Sequence, residues 1–227
     1  MDITALALAD SRFPGGGHAH SGGLEEAAAR HLVSTEDDLP GFLLGRLRTA
    51  GELAAVFAAA AAHAARHGAA AEFWARLDAE LDARTPSAAQ REASRAQGSG
   101  TGRAVNAALS ALSALSAAFT ARPHHPIVLG AAIGLGGGQP VDAALTAAYL
   151  SVSGPASAAV RLLGLDPFAV NGAVLALSDE LRAVAERAAT TATLDPAELP
   201  APGAPGLDLL AEAHKRKHAK EVRLFAS

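Results

Sequence analysis

Apolar residues recur along this chain at spacings of three, four and seven, the period of one helix face. Leu43, Leu44, Leu47, Leu53, Val56 and Phe57 show it most clearly and predict a helix through residues 41–67, closed by His67-Gly68. Phe73, Trp74, Leu77 and Leu81 lay a second stripe, interrupted at Thr85-Pro86. Residues 2–11 predict a short apolar helix that ends at Pro14 and the glycines beyond it. Ala104 to Phe119 follows a polar, basic stretch, and segments 126–138, 140–164 and 167–192 predict three more apolar helices punctuated by Gly and Pro. Start signals agree with the stripes. Ser21 is an N-cap candidate with Glu25 and Glu26 early in the helix, where the dipole favours acids. Thr35-Glu36-Asp37-Asp38 resembles a capping box, and Pro40 suits the first turn after it. Residues 195–206, with Pro196, Pro200, Pro202 and Pro205, read as a stiff linker to a last amphipathic helix from Leu207. No strand pattern and no internal repeat emerge. The expectation is an all-α protein: one domain over 1–227 of roughly eight to ten helices, ending in a segment 207–227 behind the linker.

Composition sharpens this picture. Half of the 227 residues are hydrophobic yet only 4% are aromatic, and alanine fills about a quarter of the positions. Alanine favours helix, whereas strands favour β-branched and aromatic side chains. A net charge of -4 argues against broad binding to nucleic acid or anionic membrane. The absence of cysteine excludes disulfides, thiolate metal sites and a cysteine nucleophile. Met1-Asp2-Ile3 opens without the basic region of a signal peptide, so a cytoplasmic location is expected. Pro123 to Val141 carries no Asp, Glu, Lys or Arg, but Pro126, Pro140 and Gly136-Gly137-Gly138 break it. Spanning a bilayer takes about 20 strongly apolar residues, so a buried small-residue core helix is the favoured reading.

Candidate chemistry concentrates in glycines and histidines. Phe13-Pro-Gly-Gly-Gly-His-Ala-His-Ser-Gly-Gly-Leu-Glu-Glu26 sets five glycines and a His-x-His pair ahead of a helix. Neither Gly98-Ser-Gly-Thr-Gly-Arg103 nor Gly134-Leu-Gly-Gly-Gly-Gln139 has the lysine and spacing of a phosphate loop, and no strand precedes either. Eight of nine histidines are paired: His18/His20, His63/His67, His124/His125 and His214/His218. Pairs at i, i+4 put two imidazoles on one helix face, half of a divalent metal site suited to nickel, zinc or copper alike. Helical histidines among Arg and Lys are more often merely solvated, and no H-E-x-x-H supplies a general base. No G-x-S-x-G elbow supports a serine nucleophile. A helical metal-dependent enzyme built on His63/His67 stays open at this point as the alternative to a protein that works by binding.

The order of features resembles the urease accessory protein UreF family, whose N-terminal motif reads approximately P-V-G-A-F-S-Y-S-Q-G-L-E. Pro14-Gly15-Gly16-Gly17-His18-Ala19-His20-Ser21-Gly22-Gly23-Leu24-Glu25 aligns with it without a gap, with Pro14, Gly16, Ser21, Gly23, Leu24 and Glu25 identical. The likeness continues through Arg91-Glu-Ala-Ser-Arg95…Gly102-Arg103 and His125-Pro126…Gly130, and ends in Arg223-Leu224-Phe225-Ala226-Ser227, similar to the family's R-L-F-R-S tail. Departures are His18 and His20 in place of family aromatics, Gly22 in place of glutamine, and Ala226 in place of arginine. The resemblance implies a UreF-like helical bundle, a homodimer and a non-enzymatic role. It implies binding to the accessory protein UreD (also called UreH), recruitment of the GTPase UreG, and GTP-dependent nickel delivery to apo-urease. Arg223, Leu224, Phe225, Ser227, Arg95 and Arg103 are then the candidate partner-binding residues. His18 and His20 are candidate transient contacts for nickel in transit, with no tightly bound cofactor.

Overall fold

The computed structural model describes residues 2–17, 20–108, 119 and 121–217, and every regular element among them is helical. In chain order these are α1 (Ile3–Ala9), α2 (Leu24–Ala29), α3 (Leu39–Arg46), a π-helical turn (Leu47–Gly51), α4 (Glu52–Arg66), α5 (Ala71–Ala83) and α6 (Ala88–Ala108). There follow α7 (His125–Leu135), α8 (Pro140–Leu163), α9 (Pro167–Ala176), α10 (Ser178–Thr190), a 3₁₀ turn (Pro196–Glu198) and α11 (Pro205–Lys217). The all-α expectation stands.

The core is built around α4. Its run of alanines, together with Leu53, Val56 and Phe57, is buried almost all round, which a helix tolerates only when neighbours cover every face. Helix α7 makes the most extensive contact with it, α8 the next, and α10 closes a third side. The α4–α7 contact is a backbone contact. A Cβ placed on Gly130 would lie 2.1 Å from the Ala58 carbonyl oxygen, and one on Gly134 would lie 2.4 Å from that of Ala62. Two glycines four residues apart therefore let α7 lie on the alanine face of α4 at a distance no larger residue permits. Helix α7, the centre of the charge-free stretch, is buried from Pro126 through Gly134 as a core helix. By length and composition α8 could cross a membrane, but 61% of its most apolar window is buried against the rest of the fold. It starts with a capping box between Gln139 and Asp142 and stops at Gly164 in the left-handed region.

Three local expectations are corrected. The helix predicted through 41–67 is interrupted by the π turn at residues 47–51, and the one predicted through 167–192 breaks at Leu177 into α9 and α10. The N-cap of α2 is Gly23 at φ 91°; the Ser21 hydroxyl accepts instead from the Glu25 amide at 3.4 Å. The glycine-rich 98–102 forms the middle of α6. Its glycines are sites of close approach: a Cβ on Gly98 would lie 2.1 Å from the Pro123 oxygen, and one on Gly100 would lie 2.9 Å from the Gly15 oxygen. Helix propensity is overridden here by packing against two other chain segments. The helix expected from Ala104 to Phe119 is seen as the end of α6 to Ala108, residues 109–118 lying outside the described set.

The proline-rich stretch leads to α11, which lies across α6 and α2. Glu212 on α11 accepts from the Ser87 hydroxyl and the Ala89 amide, both at 2.8 Å, and so caps the start of α6. Asp208 accepts from Gln90 at 3.0 Å, and Lys215 donates to Glu92 at 2.6 Å.

Candidate functional site

The glycine-rich segment before α2 folds as a loop across α6 and the start of α7. Gly16, Gly22 and Gly23 take φ values of 80°, 63° and 91°, open to glycine without strain. Gly15 abuts Thr101, where an added Cβ would sit 2.9 Å from the hydroxyl. Pro14 is exposed and Ser21 is fully buried, so the loop has an outer and an inner side. His20 donates its amide to the Gly17 carbonyl at 3.1 Å and borders the cavity beneath.

Arg46 holds the loop in place. As the last residue before the π turn, it donates from Nη1 to the Gly22 carbonyl and from Nε to the Ser151 carbonyl, each at 2.7 Å. An extra residue per turn changes which way following side chains face, and π turns recur at functional positions for that reason. The same turn brings Gly51 against Ser151, where a Cβ would come within 2.5 Å of the hydroxyl. One guanidinium thus ties α3, the loop and α8 together through two backbone acceptors. Burial pushes its pKa down to about 10.

Two cavities meet under the loop. The smaller, about 170 Å³, lies between the loop, α6 and α11, and the larger, about 560 Å³, extends toward α8 and α9. His20, Arg46, Gln97 and His125 border both. Burial, with some help from His20, pushes the His125 imidazole down to about 4, so it is neutral at physiological pH. Glu25 and Glu26 begin α2; Glu26 is buried and accepts from Arg30 at 2.8 Å. The His214 ring of α11 lies 3.8 Å from the Glu25 carboxylate. The helix after the linker is therefore packed against the helix that the loop begins.

The histidines that adjoin in sequence separate in space. His124 turns away from the cavities; its Nε2–H donates to the Asp82 carboxylate at 2.8 Å and its Nδ1 lies 2.9 Å from the Ser94 hydroxyl. Asp78 accepts the His124 amide at 3.1 Å, and Arg95 donates to Asp78 at 2.8 Å and to Asp82 at 2.9 Å. Burial lowers the His124 pKa more than Asp82 and Asp78 raise it. The network pins α5 and α6 to the start of α7. Arg95 sits inside it, also reaching the Arg122 carbonyl, while Arg103 is exposed beside a groove shared with Arg122. His63 and His67 stack at 4.2 Å between ring centroids, and His67 Nδ1 lies 2.8 Å from the His63 carbonyl. Their second nitrogens have no third ligand at hand: among the described residues no three His, Cys, Asp or Glu side chains gather where a metal ion could be held. His18, His218, Arg223, Leu224, Phe225 and Ser227 lie outside the described residues.

Sequence reading had no access to the Arg46 clamp, because one arginine on an amphipathic helix carries no signal. The π turn that follows it is equally silent. The His124 network was half visible, as a histidine pair and an R-E-A-S-R run with nothing to join them.

The site is a glycine-rich loop clamped on an all-helical body, with Arg46 holding its backbone. Comparison with known proteins gives the class to which this body belongs. The UreF family model matches residues 33–178. The chain is 43% identical over 226 residues to the urease accessory protein UreF of Mycobacterium sp. strain JLS, covering 99% of this chain and 98% of that protein. Against the same protein of Mycolicibacterium vanbaalenii it is 41% identical over 224 residues, covering 99% and 98%. Against that of Mycobacterium tuberculosis strain CDC 1551 it is 41% identical over 214 residues, covering 93% of each. The chain belongs to the UreF family of urease accessory proteins, which act in urease maturation and are not enzymes.

Proposed function

We propose that this protein is the UreF subunit of a nickel-insertion complex in the cytoplasm. In this reading it binds a UreD (UreH)-like accessory protein, recruits a UreG-like GTPase and promotes GTP-dependent nickel delivery to apo-urease. The observation that carries the reading is identity above 40% over nearly the full length of relatives that bear the UreF name. The structure lends support in two places. Helix α11 is packed onto α6 and α2, so the segment after Lys217 starts from a fixed point on the body, as a partner-binding anchor at Arg223, Leu224, Phe225 and Ser227 requires. Helix α9 leaves Phe168 (87% exposed) and Leu175 (71% exposed) on an open apolar face, a surface that self-association as a homodimer would cover.

The test is co-purification from cells that also express the urease operon, with the chain ending after Glu221 compared with the full chain. Loss of UreD- and UreG-like partners at unchanged far-UV circular dichroism is the expected result. Retained partners in the truncated protein would remove the anchor, and normal nickel loading of urease in a deletion strain would remove the proposed function. His20→Ala is expected to lower urease activation more than His67→Ala. Equal effects would deny His20 a special place in nickel transit.

A further inference from the structure

The clamp on Gly22 uses only part of Arg46. Its Nε and Nη1 groups donate to Ser151 and Gly22, whereas Nη2 meets no hydrogen-bond partner among the described residues and is not shut off from solvent. Both acceptors are neutral carbonyls, and no carboxylate forms an ion pair with Arg46 among the described residues. A guanidinium withdrawn from water is ordinarily balanced by a carboxylate. Here the balance is missing, and the group borders two cavities.

The larger cavity has the matching electrostatics. Arg46, Arg161 and His20 line it beside the neutral His125 ring, and its single acid among the described residues, Asp10, is bound to Arg12 at 2.6 Å. Gln97 and Thr101 add neutral polar groups. Glu26 borders only the smaller cavity, where Arg30 holds its charge.

We infer that the larger cavity is a binding site for a small carboxylate, received by the free Nη2 end of Arg46 with Gln97 and Thr101 beside it. A guanidinium matches a planar carboxylate in shape as well as charge, and here it is held rigid by its two other bonds. The carboxylate belongs either to a free small molecule or to an acidic side chain inserted from outside.

Calorimetric titration of the full chain with sodium acetate and with N-acetylglutamate amide, at constant ionic strength in sodium chloride, tests the inference and separates its two sources. Saturable 1:1 binding of acetate alone supports a free ligand, and binding of both supports an inserted side chain. Arg46→Gln should weaken acetate binding at least tenfold. Because that variant also loses the loop clamp, Gln97→Leu serves as a second probe that leaves the clamp intact, and it should weaken binding several-fold at unchanged circular dichroism. The inference is overturned if acetate gives no more heat than chloride in the wild-type protein. Phosphate binding with acetate silent overturns it, as does acetate affinity unchanged in both variants.

Discussion

Adding one methyl group at Gly130 should destabilise this protein, while the same change at Gly45 should stabilise it. Both glycines are helical, so alanine gains about 1 kcal/mol of intrinsic preference at either position. At Gly45, on the exposed side of α3, an added Cβ meets nothing within 4 Å, and the gain is kept in full. At Gly130 the Cβ would lie 2.1 Å from the Ala58 oxygen, 2.8 Å from its carbonyl carbon and 2.9 Å from its Cα. Ordinary van der Waals contact begins near 3.4 Å, so α7 must move from α4 by roughly 1 Å along the widest contact in the fold. The obstacle is backbone, with no rotamer to swing aside. Overpacking of this kind costs about 1–3 kcal/mol, and the closeness of backbone puts this site at or above the upper end. After the helix-propensity gain the net loss is about 2 kcal/mol, or roughly 4–8 °C in Tm for a chain of this length. Urea and thermal unfolding followed by circular dichroism at 222 nm measure both variants against wild type. If Gly130→Ala unfolds with wild-type midpoints, the α4–α7 contact is not the close backbone contact described. If Gly45→Ala is destabilised to the same degree, the opposition between the two sites fails.

The remaining predictions concern the elements that hold the loop and the last helix. Glu212→Ala removes the acceptor for Ser87 and Ala89 and should cost about 1 kcal/mol, with faster amide exchange confined to the first turn of α6; uniform loss of protection would contradict local capping. His125, held near 4 when folded against about 6.5 when unfolded, binds fewer protons in the native state, so stability is full above pH 6.5 and declines as pH falls toward 4. His124 works in the same direction, and His125→Asn should flatten the decline by roughly 1–3 kcal/mol in urea midpoints taken at pH 7 and pH 4.5. A variant as acid-sensitive as wild type would show that the His125 ring is not withdrawn from water.

The contrast between α4 and α6 explains which parts of this fold could be read in advance. Where burial decides structure, the pattern of side chains records it: Leu43, Leu47, Val56 and Phe57 lie on the core side in the structure as their spacing demands. The glycines of α6 record something else. Glycine weakens helix there; what keeps residues 98–102 helical is the Pro123 and Gly15 backbone pressed against positions that have no side chain. A missing side chain leaves no trace of what fills its place. Arg46 poses the converse problem, since its side chain is visible in the sequence but its acceptors, the carbonyls of Gly22 and Ser151, are 24 and 105 residues away. The signature loop was recognisable from its own letters, and positive φ at Gly16 and Gly23, two of the positions it shares with the family motif, gives those letters a physical reason. What the loop rests on was not, because its supports, Arg46, Thr101 and Ser151, come from distant parts of the chain. Tertiary backbone contact is thus the part of this protein that local pattern cannot encode, and both the loop clamp and the α4–α7 contact are made of it.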